Sequence, residues 1–360
     1  MTTITLTFAN PHIEDIALNR RESLLNYLEH PLTAPEPMDP TCLSDADRAE
    51  YDRARMDYLS GGVFLATSTV MSGQLLLARA FQENRFRNSG HAGVILSGDS
   101  SLGKTTTAKG LMRWVLTQYA QQVPDWRRYD HVPVMYVEVP PGSNAKALLK
   151  EMANFFGLPV LSRDSMADLR TKVVAAMRRA RTQLVVVDEL QNLAGRGAGL
   201  GEAVDLLKGL HNDVAATFLY CGIDVTNSTL MSGTRGQQLK SRFAVLELHR
   251  YQWSNAQHRK EWKGLVRGFE RQLQLRDHPA GTLDSHLEYL YQRTGGSIGS
   301  LGRLLTGAAI DLIQRREPVE RLQTTHLDAY RLDYTAELFF QNTLTKKATS
   351  KMTAIEKVMA

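Results

Sequence analysis

A chain of 360 residues, 43% hydrophobic and 22% charged, has the composition of an ordinary soluble globular protein and room for one large domain or two unequal ones. The formal charge of +5 is compatible with a polyanionic partner but does not require one. Cys42 and Cys221 lie far apart and outside any C-x-x-C spacing, which excludes a disulfide framework or a cysteine zinc site, and the histidines are scattered without a ligand-like pair.

The opening "MTTITLTFANPHIEDIALNRR" lacks a basic segment followed by an apolar core, so no signal peptide is expected and a cytoplasmic location is. "HPLTAPEPMDP" (30–40) predicts an extended linker, because proline lacks the N–H a helix needs and restricts the residue before it. Ser44 then caps a predicted helix over "DADRAEYDRARMDYL", which Gly61 and Gly62 end. The apolar stretch 61–81 is broken by Ser, Thr, Gln and Gly, short of the ~18 uninterrupted apolar residues of a membrane helix. It predicts a buried helix and no membrane partner.

From His91 the texture changes to short apolar runs separated by helical segments: "GVILS" (93–97), "VPVMYVEV" (132–139), "LVVVD" (184–188), "TFLYCGI" (217–223) and "AVLEL" (244–248). Continuously apolar strands alternating with helices predict a parallel five-stranded sheet covered on both faces, a three-layer α/β domain. After Tyr251 only helical patterns follow. The expected organisation is an N-terminal helical extension with its proline-rich linker (1–62), an α/β nucleotide-binding domain (63–250), a small helical lid (251–340) and a lysine-containing tail (341–360).

The first strand runs into "GDSSLGKTT", which satisfies G-x-x-x-x-G-K-[ST]. Gly98, Asp99, Ser100, Ser101, Leu102 and Gly103 form a loop whose backbone N–H groups can face phosphate oxygens. Lys104 can reach the β and γ phosphates, and Thr105, followed by Thr106, offers a hydroxyl to Mg²⁺ at a helix N-terminus. Leu111, Met112, Val115, Leu116 and Tyr119 make that helix plausibly amphipathic. The two acids that end the third strand then have a purpose: Asp188 to help hold Mg²⁺ and Glu189 to polarise the attacking water. The strand between the phosphate loop and the acidic strand, the Glu after the Asp, and the absence of N-K-x-D favour ATP over GTP.

Asp224 ends a strand where a polar group can sense the γ phosphate, or alternatively caps the next helix. Arg242 and Arg235 precede the last strand, where an arginine can reach a neighbouring subunit's ATP; a surface ion pair is the competing reading. Arg303 lies one turn into a helix after a glycine turn and can report phosphate state. Ser143, Asn144, Lys146 and Lys150, with Arg170, Lys172, Arg178, Arg179 and Arg181 of segment 168–183, can grip DNA phosphates without reading bases.

These parts together resemble an AAA+ ATPase, and more narrowly the TniB/TnsC family of transposition regulators. The resemblance spans about Val63 to Asp328 and rests on "GDSSLGKTT", "VVVDELQNLAGRG", "LHNDVAATFLYCGID", "QLKSRF" before the aromatic "YQW", and "TGGSIGSLGRLLTGAAIDLI". It implies an ATP- and Mg²⁺-dependent homo-oligomer, a ring or helical filament on double-stranded DNA, that recruits a transposase and couples it to a target-selector protein. It further implies that Arg242 or Arg235 acts across subunits and that Arg303 is a lid sensor. Segments 140–150 and 168–183 would face DNA. Gln191, Asn192 and the glycine-rich "AGRGAGLG" after them lie where a change of nucleotide state can be passed to a neighbour or to DNA. Residues 1–62 and the tail lie outside what the resemblance matches. The alternatives are a helicase-loader or replication-initiator relative, against which no winged-helix pattern follows the lid, and an ATP-gated signalling or antiviral module that binds protein.

Overall fold

The computed structural model describes residues 17–193 and 198–345. In chain order the elements are α1 (Arg21–Glu29), α2 (Asp45–Gly61), α3 (Ser68–Asn84), β1 (Gly93–Ser97), α4 (Lys104–Gln122), β2 (Val134–Glu138), α5 (Ala145–Phe155), α6 (Met166–Arg179), β3 (Leu184–Asp188), α7 (Ala198–Asp213), β4 (Thr217–Gly222), α8 (Gly233–Lys240), β5 (Phe243–Glu247), α9 (Ala256–Glu270), α10 (Leu287–Thr294), α11 (Ile298–Gln314) and α12 (Thr324–Ala329). The chain forms two compact units. Among the described residues, one contains 17–30, Ser68–Asp99 and 104–248; the other contains Pro31–Thr67, Ser100–Gly103 and 249–345.

In the first unit all five strands are parallel, in the order β2-β3-β4-β1-β5. β1, β3 and β4 are buried along their whole length, which is why they read as unbroken apolar runs. β5, at the sheet edge, is only partly covered: Phe243 is buried, Ala244 and Leu246 are half-buried, and Val245 and Glu247 are exposed. β2 begins two residues later than the sequence suggested: Pro133 has no N–H for a ladder, and its carbonyl instead accepts Gln183 and Leu184 N–H. Gly93 is required where β1 passes between its neighbours, because a Cβ there would fall on the Phe243 ring and 2.7 Å from the Phe218 carbonyl.

The segment expected as one N-terminal extension is divided between the units. α1 buries Leu24, Leu25 and Leu28 against α4 and β2 of the first unit. α2, capped by Ser44 as expected, packs against α11 in the second. There Arg55 is buried, donating to Glu320 Oε2 at 2.7 Å, to Asp52 Oδ1 at 2.5 Å and to the Gln274 carbonyl at 3.0 Å. Such a desolvated guanidinium persists only with its carboxylates in place. Trp262, Val266, Leu301, Leu304 and Leu305 form the core of this unit. None of the described helices is long and apolar enough to cross a membrane.

Candidate nucleotide site

The end of β1 is fixed by its neighbours before the phosphate loop begins. The Ser97 carbonyl accepts Leu248 N–H at 2.8 Å, its hydroxyl accepts Val225 N–H at 3.1 Å, and Gly98 N–H donates to the Gly222 carbonyl at 3.3 Å. Lys104 opens α4, almost buried, and its ammonium donates to the Gly98 and Asp99 carbonyls at 2.8 and 2.7 Å. Burial pulls the ammonium pKa down, and the carboxylates of Glu189 and Asp188 oppose that shift, Glu189 the more strongly.

Asp188, 2% exposed at the end of β3, is held from three directions. Thr105 Oγ1 and Tyr136 OH donate to its Oδ2 at 2.9 and 3.0 Å, and Glu189 N–H donates to its Oδ1 at 2.9 Å. Sequence reasoning paired Thr105 with Asp188 but missed Tyr136. The signal lay in strand register: Tyr136 on β2 pairs with Val186 of β3, so it lies on the same sheet face as Asp188. Burial, with Asp188 beside it, drives the Tyr136 hydroxyl pKa far up, so the group is a proton donor at any working pH. The Thr105 hydroxyl and the Asp188 carboxylate are hard oxygen donors, the chemistry Mg²⁺ takes, and they sit within hydrogen-bond distance of each other. The residues present therefore fit the ion.

Glu189 leaves the strand at φ +54° and Asp224 follows β4 at φ +45°, both in the left-handed region that strains a side-chain-bearing residue. Gln191 joins the two turns. Its amide N–H donates to Glu189 Oε2 and its carbonyl accepts Ile223 N–H at 3.0 Å. Asp224 is exposed, makes no helix-cap bond with its side chain, and accepts from Asn227 Nδ2 at 2.7 Å. Asn192 fastens the turn to the Val139 carbonyl at 2.9 Å. Residues 194–197, within the stretch expected to pass on nucleotide state, lie outside the described residues, as do 1–16 and 346–360.

The loop tip, Ser100–Gly103, belongs to the second unit. Its Ser101 has φ +62° and its carbonyl accepts Ser297 Oγ at 2.6 Å and Gly299 N–H at 2.9 Å. A Cβ on Gly299 would lie 2.5 Å from that carbonyl, a physical reason for glycine in "GGSIGS" that the sequence alone did not show. Arg303, half-exposed on α11, pairs with Asp333 at 3.5 Å.

The family model described as Bacterial TniB protein matches residues 65–253, more than half of the chain. The chain belongs to the TniB family. This is a transposition-associated family of AAA+ ATPases, as the motifs implied. The sheet order and the helices that follow it are AAA+-like and are shared with Aeropyrum pernix ORC1 in complex with DNA, at 16% identity and TM-score 0.55, over 79% of this chain and 68% of that one. Aeropyrum pernix ORC2 in ADPNP–ADP complexes matches at 20% identity and TM-score 0.52, over 71% and 66%. The chain thus spans about two thirds of the length of these proteins, and the likeness is one of fold. No curated protein sequence matches it significantly.

The remaining candidates of this TniB-family chain are more dispersed. Arg235 on α8 makes an exposed ion pair with Asp205 at 2.9 Å. Arg242, half-buried before β5, has its Nη1 buried with no hydrogen-bond partner among the described residues. Ser143 closes a turn onto the Pro140 carbonyl at 2.6 Å, and Asn144 caps α5 by accepting Ala147 N–H at 2.9 Å. Arg170 donates to Asp213 at 2.7 Å and Lys172 to Asp164 at 2.8 Å, while Lys146 and Lys150 make no hydrogen bond or ion pair with the described residues. An open cleft of about 900 Å³ between α6, α7 and α8 is lined by the Arg170–Asp213 and Arg235–Asp205 pairs, so these four charges already face partners.

Proposed function

We propose that this chain is an ATP-hydrolysing switch that oligomerises on double-stranded target DNA and recruits or activates a transposase, with hydrolysis driving disassembly. The observation that carries the reading is the 2.9 Å contact of Thr105 with Asp188 beside the buried Lys104, where two motifs from distant parts of the chain converge. Lys104 would draw off charge from the β and γ phosphates, and backbone N–H groups of residues 98–105 would hold their oxygens. Thr105 and Asp188 would hold Mg²⁺, which supplies charge neutralisation at the phosphate oxygens when bound. Glu189 would accept a proton from the attacking water as the γ-phosphoryl group is transferred to it, giving ADP and phosphate.

Asp224 would sense the γ phosphate. For the arginine acting across subunits, Arg242 is the better assignment, because it makes no ion pair among the described residues whereas Arg235 is engaged with Asp205. Arg303 is assigned the lid-sensor role that its family implies. DNA bound to ORC1 of the same fold supports duplex DNA as the ligand, with Lys146 and Lys150 as available phosphate contacts. If ATP completes its site only between subunits, ATP favours the assembled state by mass action. Electron microscopy of the full chain with duplex DNA, with and without a non-hydrolysable ATP analogue, tests the proposal. Oligomers on DNA that depend on the analogue are expected; monomers in both samples would overturn it.

A further inference from the structure

Gln191 stands two residues beyond the carboxylate assigned to water activation, and both ends of its side-chain amide are engaged. Its carbonyl accepts Ile223 N–H at 3.0 Å and its amino group donates to Glu189 Oε2. The orientation is dictated by chemistry. A backbone N–H can only donate, so the amide oxygen must face Ile223 and the amino group must face the carboxylate. The end of β4 is shaped around this bridge, because a Cβ on Gly222 would fall on Gln191 Oε1.

We propose that Gln191 is the positioning residue for Glu189: it fixes one carboxylate oxygen against the 222–224 turn and leaves the other to take a proton from water. A neutral amide suits the task. It sets the direction of the carboxylate without cancelling the charge a base needs, as a lysine in its place would. Asparagine, one methylene shorter, would not span from Ile223 to Glu189. The same side chain joins two left-handed turns, at Glu189 and at Asp224, so the water-activating group and the turn assigned to phosphate sensing are placed as one piece. This also gives "DELQN" a use for its fourth residue. The inference rests on the ATP-hydrolysing reading above.

The test is steady-state ATP hydrolysis by the full chain with duplex DNA, for wild type, Gln191→Met, Gly222→Ala and Glu189→Gln. Gln191→Met keeps the length and bulk of the side chain and removes both hydrogen bonds. It is expected to lower kcat about tenfold, the order of one hydrogen bond to a charged group, with little change in KM. Gly222→Ala pushes the amide away while leaving Gln191 in the sequence, and should reproduce this effect even if Gln191→Met folds poorly. A wild-type kcat in both variants, or a loss of kcat/KM carried by KM alone, overturns the inference. Glu189→Gln separates the two levels. If it hydrolyses ATP normally, the functional reading has failed; if it is inactive while Gln191→Met matches wild type, only the positioning role has failed.

Discussion

The turn after β3 and the helix α6 carry their charges in opposite ways. At the first, Lys104, Thr105, Tyr136, Asp188, Glu189 and Gln191 come from separate strands and turns and share partners, so that Asp188 alone accepts three hydrogen bonds. Along α6 and α5, a cation has its own carboxylate, as Arg170 and Lys172 do, or none among the described residues, as with Lys146 and Lys150. Shared partners in a buried site make each group depend on the others, whereas separate exposed pairs contribute independently and weakly. Large single-residue effects are therefore expected at the first region and small, additive ones at the second.

Lys104→Ala should have the largest effect. It removes the buried cation whose charge Asp188 and Glu189 stabilise and that is assigned to the phosphates, and is expected to weaken ATP binding by about a hundredfold or more, the order of a few charge-assisted hydrogen bonds. Calorimetric titration with ATP measures this, and an affinity near wild type would remove Lys104 from the site. Glu189→Gln keeps size and hydrogen bonding but gives up the base. ATP binding should persist and oligomers on DNA should be trapped, while turnover falls by roughly 10² or more. Hydrolysis at the wild-type rate would take water activation away from Glu189.

Tyr136→Phe comes next. The ring stays in its buried place and Asp188 Oδ2 loses one of two donors. A hydrogen bond to a charged group is worth about 1.5–3 kcal/mol, so kcat should fall roughly ten- to a hundredfold, with the Mg²⁺ concentration for half-maximal activity rising. An unchanged Mg²⁺ dependence would reduce Tyr136 to packing.

The contrast between the regions also explains what the sequence could show. Gly98 to Thr106, Asp188 and Glu189 were legible because phosphate chemistry demands those residue types at fixed spacing next to strand ends. The five strands were legible because burial on both faces leaves an unbroken apolar run. Tyr136 was not, since its role depends on the register between β2 and β3. Gln191 was singled out only as one of several residues after the acids, because its partner Ile223 is brought near by the pairing of β3 with β4. Arg55 looked like one more cation on a charged helix, and only Glu320, far along the chain, makes it a buried one. Pairings of this kind belong to tertiary structure, so they also hid the division of the N-terminal segment between two units.

The smallest effects should distinguish free from committed cations. Lys150→Ala and Lys146→Ala each remove a side chain with no ion pair to break, so stability should stay within about 0.5 kcal/mol. If these lysines meet DNA phosphates, each change should weaken duplex binding severalfold and reduce the slope of log affinity against log salt by about one. Arg170→Ala instead breaks a partly exposed pair with Asp213, costing about 0–1 kcal/mol of stability, and should change the salt slope less than either lysine does. Salt-dependent binding isotherms on one duplex, together with thermal melts, measure all three variants. A larger loss of slope for Arg170→Ala than for the lysines would mean that the Arg170–Asp213 pair opens to take a phosphate. In that case the ion pairs along α6 hold DNA contacts in reserve, and the separation between its paired and free cations would no longer stand.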